Sequence, residues 1–103
     1  VAHLYDPMHP AILHLLSHII SAANRANKSV AVCGEIAGDP LITRLLLGMG
    51  LRTFSMHPAH LLPVKQKILT SDLREATVIT KKILQTQNPD RIEYLVHKLN
   101  AKG

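Results

Sequence analysis

Aromatic residues, cysteine and long apolar runs are all scarce in this chain of 103 residues. Only Tyr5, Phe54 and Tyr94 are aromatic, so the core has to be built from aliphatic side chains. The single cysteine, Cys33, excludes an internal disulfide, which is typical of proteins in a reducing cytoplasm. No apolar run reaches the ~20 residues of a membrane-spanning helix, and no signal-peptide pattern is present. We therefore expect a cytoplasmic domain with an aliphatic core and no membrane partner.

Acidic residues are also few, and the resulting charge is unevenly distributed. Residues 1–40 carry two basic and three acidic side chains, whereas residues 41–103 carry ten basic and four acidic ones. The basic residues stand singly on predicted amphipathic helices, with acidic residues between them and no aromatic residues arranged to stack on bases. This pattern is typical of solvated helix surfaces, so we expect no nucleic-acid partner. A hydrophobic content of 47% against 18% charged residues argues against disorder.

The spacing of apolar residues predicts a helix followed by a strand in the first third of the chain. From Pro10 to about Asn27, apolar residues recur every three or four positions, and polar residues form the opposite stripe. Val30 to Cys33 follows as a continuous apolar run, typical of a strand buried on both faces of a parallel sheet. The predicted inner residues of the helix are Ile12, Leu15, Leu16, Ile19, Ile20 and Ala23, and its polar stripe is His14, His18, Ser21 and Arg25.

A second helix and a second strand follow a glycine-bearing turn. Asp39 before Pro40 predicts a helix start with the aspartate as N-cap, and the residues after Leu47 predict its end. We expect Thr43 and Arg44 to form the exposed edge of this helix. Residues 52–56 are predicted to be the second strand, parallel to the first, because the connection of about 20 residues fits a βαβ crossover.

The remaining residues are predicted to be helical. One short helix covers residues 63–69, a second is capped by Ser71 and runs to about Gln85, and Asn88 with Pro89 opens the last. The predicted inner face of the last helix is Ile92, Leu95, Val96 and Leu99.

This α/β order predicts the C-terminal part of a (βα)8 TIM barrel: helix six, strand seven, helix seven, strand eight, helix eight and a helical tail. Because the chain begins Val1-Ala2-His3 without methionine, we expect residues 1–103 to be a single partial domain of a longer protein, helix-rich in isolation. A free-standing small α/β domain is the alternative, although it would have two unpaired strand edges.

Cys33 is the residue best placed for chemistry. It ends a predicted strand and precedes a turn, a position at which reactive groups of α/β folds face a crevice. Thiols titrate near pH ~8.5 in peptides, so a cysteine at neutral pH is able to act as a general acid. A buried structural thiol is the alternative, since a lone cysteine is usually buried.

Two pairs of histidines are further candidates. His14 and His18 stand four residues apart on one helix face, a spacing that can ligate zinc, but the sequence places no third ligand. His57 and His60 flank the end of the second predicted strand, where their imidazoles are candidates for a substrate contact.

Four sequence blocks stand out by their order and spacing. They are Tyr5–Pro10, Cys33–Pro40, Leu45–Leu51 and Phe54–Met56. In these blocks the chain resembles, over residues 1 to about 85, the C-terminal end of Enzyme I of the bacterial sugar phosphotransferase system. The last helix matches loosely, and His57 stands where a small residue is expected in that family.

The resemblance implies a (βα)8 barrel that binds phosphoenolpyruvate and magnesium, with the metal ligands upstream of this chain and none within it. A histidine on a separate N-terminal domain would accept the phosphoryl group and pass it to the histidine-containing phosphocarrier protein. Cys33 corresponds to the cysteine that protonates the pyruvate enolate, and Gly34 and Glu35 would line the substrate. For Glu35, a role at a helix start or in packing is the alternative. A homodimer is expected, and the isolated chain would be inactive.

Two other functions stay open on the sequence. One is a segment of a dikinase-type, nucleotide-using enzyme, since such enzymes share the start at Cys33 and Gly34 but lack the continuation at residues 37–40 and 46–51. The other is a non-catalytic helical module whose basic tail binds a partner. The sequence does not separate a sugar-transport branch of the family from a regulatory branch.

Overall fold

A computed structural model describes residues 6–101, and these form six α-helices and a two-stranded parallel sheet. The predicted helix-rich α/β class is therefore confirmed, while assignment to strands seven and eight of a barrel stays a prediction. Tyr5, the first residue of the first sequence block, lies outside the described residues. The elements are α1 (Pro10–Arg25), β1 (Ala31–Val32), α2 (Glu35–Gly38), α3 (Pro40–Met49), β2 (Thr53–Phe54), α4 (Leu61–Leu69), α5 (Leu73–Leu84) and α6 (Pro89–Asn100).

The two strands pair in parallel, as the crossover length predicts. Ala31 lies opposite Thr53 and Val32 opposite Phe54, and the Ser55 N–H extends the ladder by donating to the Val32 carbonyl at 3.0 Å. Each strand is only two residues long, and Ala31 is exposed, so the prediction of a strand buried on both faces is wrong. Within residues 6–101 each strand has one strand neighbour, so each also has an open edge and little to cover its outer face.

Helix α3 lies at the centre of the core because nearly every side of it is covered. It begins as predicted: the Asp39 carboxylate accepts the Leu41 N–H at 3.0 Å and Pro40 occupies the first turn. It packs so closely on α5 that a Cβ at Gly48 would lie 2.2 Å from Thr80 Oγ1 and 2.5 Å from the Ala76 carbonyl oxygen. The buried residues of α3 are Ile42, Thr43, Arg44, Leu45, Leu46, Leu47 and Met49.

Arg44 and Thr43 were expected on the exposed edge of α3, and this prediction is wrong. Thr43 is fully buried and Arg44 is 3% exposed. Helices α4, α5 and α6 all pack against α3, so the helix has no solvated side at these positions. Arg44 is accommodated because its guanidinium reaches backbone carbonyls at the C-terminal ends of α4 and α6, which carry partial negative charge.

The C-terminal helices differ from expectation mainly at their starts. Helix α4 begins at Leu61, two residues before the predicted start, and α5 is capped by Asp72, whose carboxylate accepts the N–H groups of Arg74 and Glu75. The predicted cap, Ser71, instead donates to the Lys67 carbonyl and accepts from Arg44. Asn88 caps α6 as predicted, and all four residues of its predicted inner face are buried.

Helix α1 matches its predicted start, yet its apolar face is only partly covered. Leu13 and Ile20 are buried, whereas Leu15 is 55% and Ile19 46% exposed, so the prediction that these two face the core is wrong. The predicted apolar stripe is wider than the area of α1 that the rest of the described chain covers. No helix among residues 6–101 is long and apolar enough to cross a membrane.

Candidate functional site at the carboxyl end of the sheet

Cys33 follows β1 directly and lies at the carboxyl end of the parallel sheet. Its side chain is exposed, so the alternative of a buried structural thiol does not hold. The next residue, Gly34, has φ +83°, a conformation that residues with a Cβ rarely adopt, and a Cβ there would meet no atom within 4 Å. The glycine is therefore required by the path of the turn and not by a lack of space.

The turn after Cys33 contains an element that the sequence did not predict, the single-turn helix α2. Glu35 is its first residue and is exposed, while Ala37 and Gly38 at its end are buried. A carboxylate in the first turn of a helix is stabilising, because it interacts favourably with the unpaired backbone N–H groups at that end. Asp39 ends α2 and caps α3, so the chain passes from Cys33 to the core in six residues.

His57 and His60 lie at the same end of the sheet, after β2. The Nδ1 atom of His57 accepts the Ala59 N–H at 3.2 Å and so begins a short 3-10 helix, Pro58–His60. The two imidazole rings have centroids 6.3 Å apart and are inclined at 76°. The His60 ring lies against Gly38, where a Cβ would be 3.0 Å from His60 Cγ. The segments that follow β1 and β2 are therefore in contact through His60.

No metal centre is present among the described residues. His14 and His18 are both exposed on α1, and residues 6–101 contain no group of three or more His, Cys, Asp or Glu side chains able to hold a metal ion. The described residues therefore do not form a complete magnesium or zinc site.

Two cavities among the described residues lie away from Cys33. One of about 180 Å³ is lined by Arg44, Thr70, Asp72, Glu75, Ala76 and Leu99. A groove of about 410 Å³ is lined by Asp6, Met8, Leu41, Pro89, Ile92, Glu93, Val96 and His97. Neither is lined by Cys33, because two adjacent strands alone do not enclose a crevice around the thiol. The carboxyl end of a sheet is the better marker of a site here than cavity size.

Arg44 is the buried charged residue that was expected in solvent. Its Nε donates to Ser71 Oγ at 2.9 Å, its Nη1 to the Leu99 carbonyl at 3.0 Å and its Nη2 to the Thr70 carbonyl at 3.1 Å. Partial burial, and secondly the Arg44 guanidinium, lower the pKa of Lys67. A signal was available, because Arg44 is the only charged residue of α3 and all its other residues except Thr43 are apolar, and helices that are apolar all round are usually buried.

Comparison with known proteins agrees with the sequence blocks. The family described as PEP-utilising enzyme, PEP-binding domain, where PEP is phosphoenolpyruvate, matches residues 1–73. The phosphoenolpyruvate-protein phosphotransferase of Cupriavidus necator is 58% identical over 90 residues, which are 87% of this chain and 15% of that protein. The proteins of the same name from Geobacillus stearothermophilus and Haemophilus influenzae are 40% and 38% identical over 98 residues, 95% of this chain and 17% of each relative.

The chain thus spans 15–17% of the length of these relatives. The family match covers β1, β2, the Cys33 turn and the two histidines after β2. It ends at the start of α5, so the last two helices are supported by the individual relatives alone. The chain therefore belongs to the family of PEP-utilising enzymes, in the part called the PEP-binding domain.

Proposed function

We propose that this chain is the C-terminal segment of the (βα)8 barrel of a phosphoenolpyruvate–protein phosphotransferase, in which Cys33 protonates the enolate of pyruvate. The observation that carries the proposal is an exposed thiol at the carboxyl end of a parallel strand, within the segment that matches the family. In this assignment β1 and β2 are strands seven and eight of the barrel. The carboxyl ends of barrel strands are where such enzymes hold their reacting groups.

The proposed reaction has two steps. First, the bond between phosphorus and the enol oxygen of phosphoenolpyruvate breaks, phosphorus forms a bond to an acceptor histidine outside this chain, and the enolate oxygen keeps the electron pair. Second, the methylene carbon of the enolate takes the proton of the Cys33 thiol, which gives pyruvate and a thiolate. The thiolate then regains a proton from solvent.

Protonation of carbon on one face requires a donor that is held at a fixed place. Cys33 meets this requirement because β1 is hydrogen-bonded to β2 immediately before it, and Gly34 turns the chain immediately after it. Its exposure leaves the thiol free to face a substrate that other parts of the enzyme bind. Gly34 and Glu35, which adjoin it on the same turn, are proposed to line that substrate.

The wider roles of the enzyme are part of the same proposal. The phosphoryl group would pass from the acceptor histidine to the histidine-containing phosphocarrier protein in the cytoplasm, and the enzyme would act as a homodimer. A magnesium ion would be held by residues other than those described here. We also expect the chain of 103 residues to be inactive without the remainder of the enzyme.

The test uses a chimera in which this chain replaces the matching segment of the Cupriavidus necator relative. In deuterium oxide, the parent chimera should form pyruvate with deuterium added to one face of the enolate. Cys33→Ala should slow that addition by about 100-fold or more, the range for loss of a general acid, while the first phosphoryl transfer to the enzyme continues. Cys33→Ser is the matched control, since serine keeps the size of the side chain but is a far weaker acid.

Stereospecific deuterium addition at the parent rate in both variants would contradict the role of Cys33. The unfused chain supplies the second half of the test. Given phosphoenolpyruvate and magnesium, it should form no pyruvate, and turnover by the chain alone would contradict the proposal that it is one part of a larger site.

A further inference from the structure

We propose that His60 is a positioning residue for Cys33, acting through Gly38 at the end of α2. Its chemical part rests on the proposed function of Cys33, whereas its structural part does not. A glycine after β1, Gly38, lies in close contact with an imidazole after β2, that of His60.

Gly38 is buried, and the face where its side chain would be is covered by His60. A Cβ at this position would lie 3.0 Å from Cγ, 3.2 Å from Cδ2 and 3.3 Å from Cβ of His60. Contacts this short leave no room for a methyl group unless the imidazole moves. The flat ring and the bare backbone therefore fit each other, and each limits where the other can lie.

His60 is itself held by the segment that follows β2. Its N–H donates to the His57 carbonyl at 2.9 Å, and the His57 ring meets its ring nearly at right angles. His57 in turn accepts the Ala59 N–H through its side chain. The Pro58–His60 helix is therefore capped by the residue that precedes it. The imidazole of His60 is thus presented to Gly38 from an ordered turn and not from a free loop.

The contact reaches Cys33 because α2 is a single turn. Gly38 lies five residues after Cys33, and only Gly34 and the first three residues of α2 lie between them. The same end of α2 is joined to α3 by Asp39, which caps α3 and donates its N–H to the Ile36 carbonyl at 3.3 Å, so the end that follows Gly34 is the one free to tilt. A shift of α2 toward the place that His60 occupies would therefore change the path of the Gly34 turn and the direction of the thiol.

The first test measures the rate at which iodoacetamide alkylates Cys33 in the 103-residue chain, where a single cysteine makes the readout unambiguous. His60→Ala should raise the rate, because the turn loses its support. His60→Phe should keep the rate near that of the parent, because a flat ring still covers Gly38. His14→Ala, on the exposed side of α1, is the control and should change nothing. Circular dichroism checks that each variant is folded.

A double-substitution cycle sharpens this test. Gly38→Ala should also raise the alkylation rate, because the new methyl group displaces the ring. Once His60→Ala has removed the ring, adding Gly38→Ala should have less effect than it has alone, with a departure from independence of about twofold or more. Equal rates in the parent, both single variants and the double variant would overturn the positioning role.

The second test uses the chimera and follows protonation of the enolate. Because small displacements of a reacting group can cost up to about 100-fold, His60→Ala should slow deuterium addition about tenfold or more and reduce its stereospecificity. The KM for phosphoenolpyruvate should be unchanged, and His60→Phe should restore the rate. Restoration by glutamine but not by phenylalanine would overturn positioning in favour of a polar role for the imidazole. If Cys33→Ala leaves deuterium addition intact, the proposed function fails. The alkylation rates of the single and double variants still test whether His60 positions the Cys33 turn.

Discussion

The helical half of the molecule and the end of the sheet are built in opposite ways. Around α3, side chains are fully buried, a glycine allows two helices to touch, and an arginine is enclosed. At the sheet end, strands of two residues lead to an exposed thiol and exposed histidines. The first region is held together by this chain's own contacts, and the second presents groups outward. Stability and chemistry should therefore respond to different substitutions.

The largest loss of stability is expected from Arg44→Ala. The substitution removes hydrogen bonds to the ends of α4 and α6 and leaves the Leu99 carbonyl without its guanidinium partner in a buried place. Hydrogen bonds to charged groups contribute roughly 1.5–3 kcal/mol each, and they are not additive, so we expect a loss of about 4 kcal/mol in the free energy of unfolding. Urea denaturation of the purified chain measures this loss.

Arg52→Ala is the matched control for that experiment. Arg52 also donates to two backbone carbonyls, those of Leu47 and Leu51, but it is exposed. Its loss should cost about 0.5 kcal/mol, since exposed polar contacts contribute little. Arg44→Lys should recover only part of the stability, because an ammonium does not reproduce the planar set of donors. Equal costs at the two arginines would remove the contrast between an enclosed and a solvated cation.

The next largest effect is expected from Gly48→Ala at the contact between α3 and α5. The new methyl group would overlap Thr80 Oγ1 and the Ala76 carbonyl, and the carbonyl belongs to a helix backbone that cannot turn aside. Overpacking costs about 1–3 kcal/mol, partly offset by the better helix propensity of alanine, so we expect a net loss of about 2 kcal/mol. Thermal unfolding compares the Gly48→Ala variant with the Gly48→Ala, Thr80→Ala double variant, which should recover part of the loss. A stabilised single variant would contradict the close packing.

Helix positions and caps were largely predictable from the sequence because they depend on local chemistry. Asp39 and Asn88 cap the helices predicted for them, and the apolar spacing of α6 placed its buried face correctly. The parallel pairing also followed from the length of one connection. These features depend on residues a few positions apart, where backbone hydrogen bonds and side-chain spacing decide the outcome.

The failures depend on which elements pack against each other. Arg44 was expected in solvent because a charged residue usually is, but three helices surround it. Ser71 and Asp72 are adjacent and both suited to capping, and the choice was decided by Arg44, 27 residues away, which engages the serine. Likewise, no local pattern places the His60 ring on Gly38. Sequence spacing found the Cys33 turn but not what lies against it.

Lys67 offers a smaller effect with a distinct dependence on pH. Burial and the nearby Arg44 lower its pKa below the ordinary value of 10.5, so between the lowered pKa and 10.5 the unfolded chain binds more protons than the folded one. Stability due to this group therefore rises with pH through that window, and below it the charged ammonium opposes folding. Lys67→Met should stabilise the chain at neutral pH, by no more than about 0.5 kcal/mol because the side chain is partly exposed. Urea midpoints from pH 7 upward measure this pH dependence of stability, and Lys65→Met, at an exposed lysine, is the control. An identical pH dependence in Lys67→Met and the parent would contradict the role of Lys67.

The smallest change in stability is expected where the chemistry is proposed. Cys33 is exposed and its side chain fills no part of the core, so Cys33→Ser should change the free energy of unfolding by less than about 0.5 kcal/mol. Urea denaturation of this variant beside Gly48→Ala, at one protein concentration, compares the two regions directly. A loss near 2 kcal/mol for Cys33→Ser would mean that the thiol is a packing residue after all, and the division between the two regions would fail. An unchanged midpoint, combined with the loss of deuterium addition in the chimera, would place the role of Cys33 in the reaction, because the fold does not need its thiol.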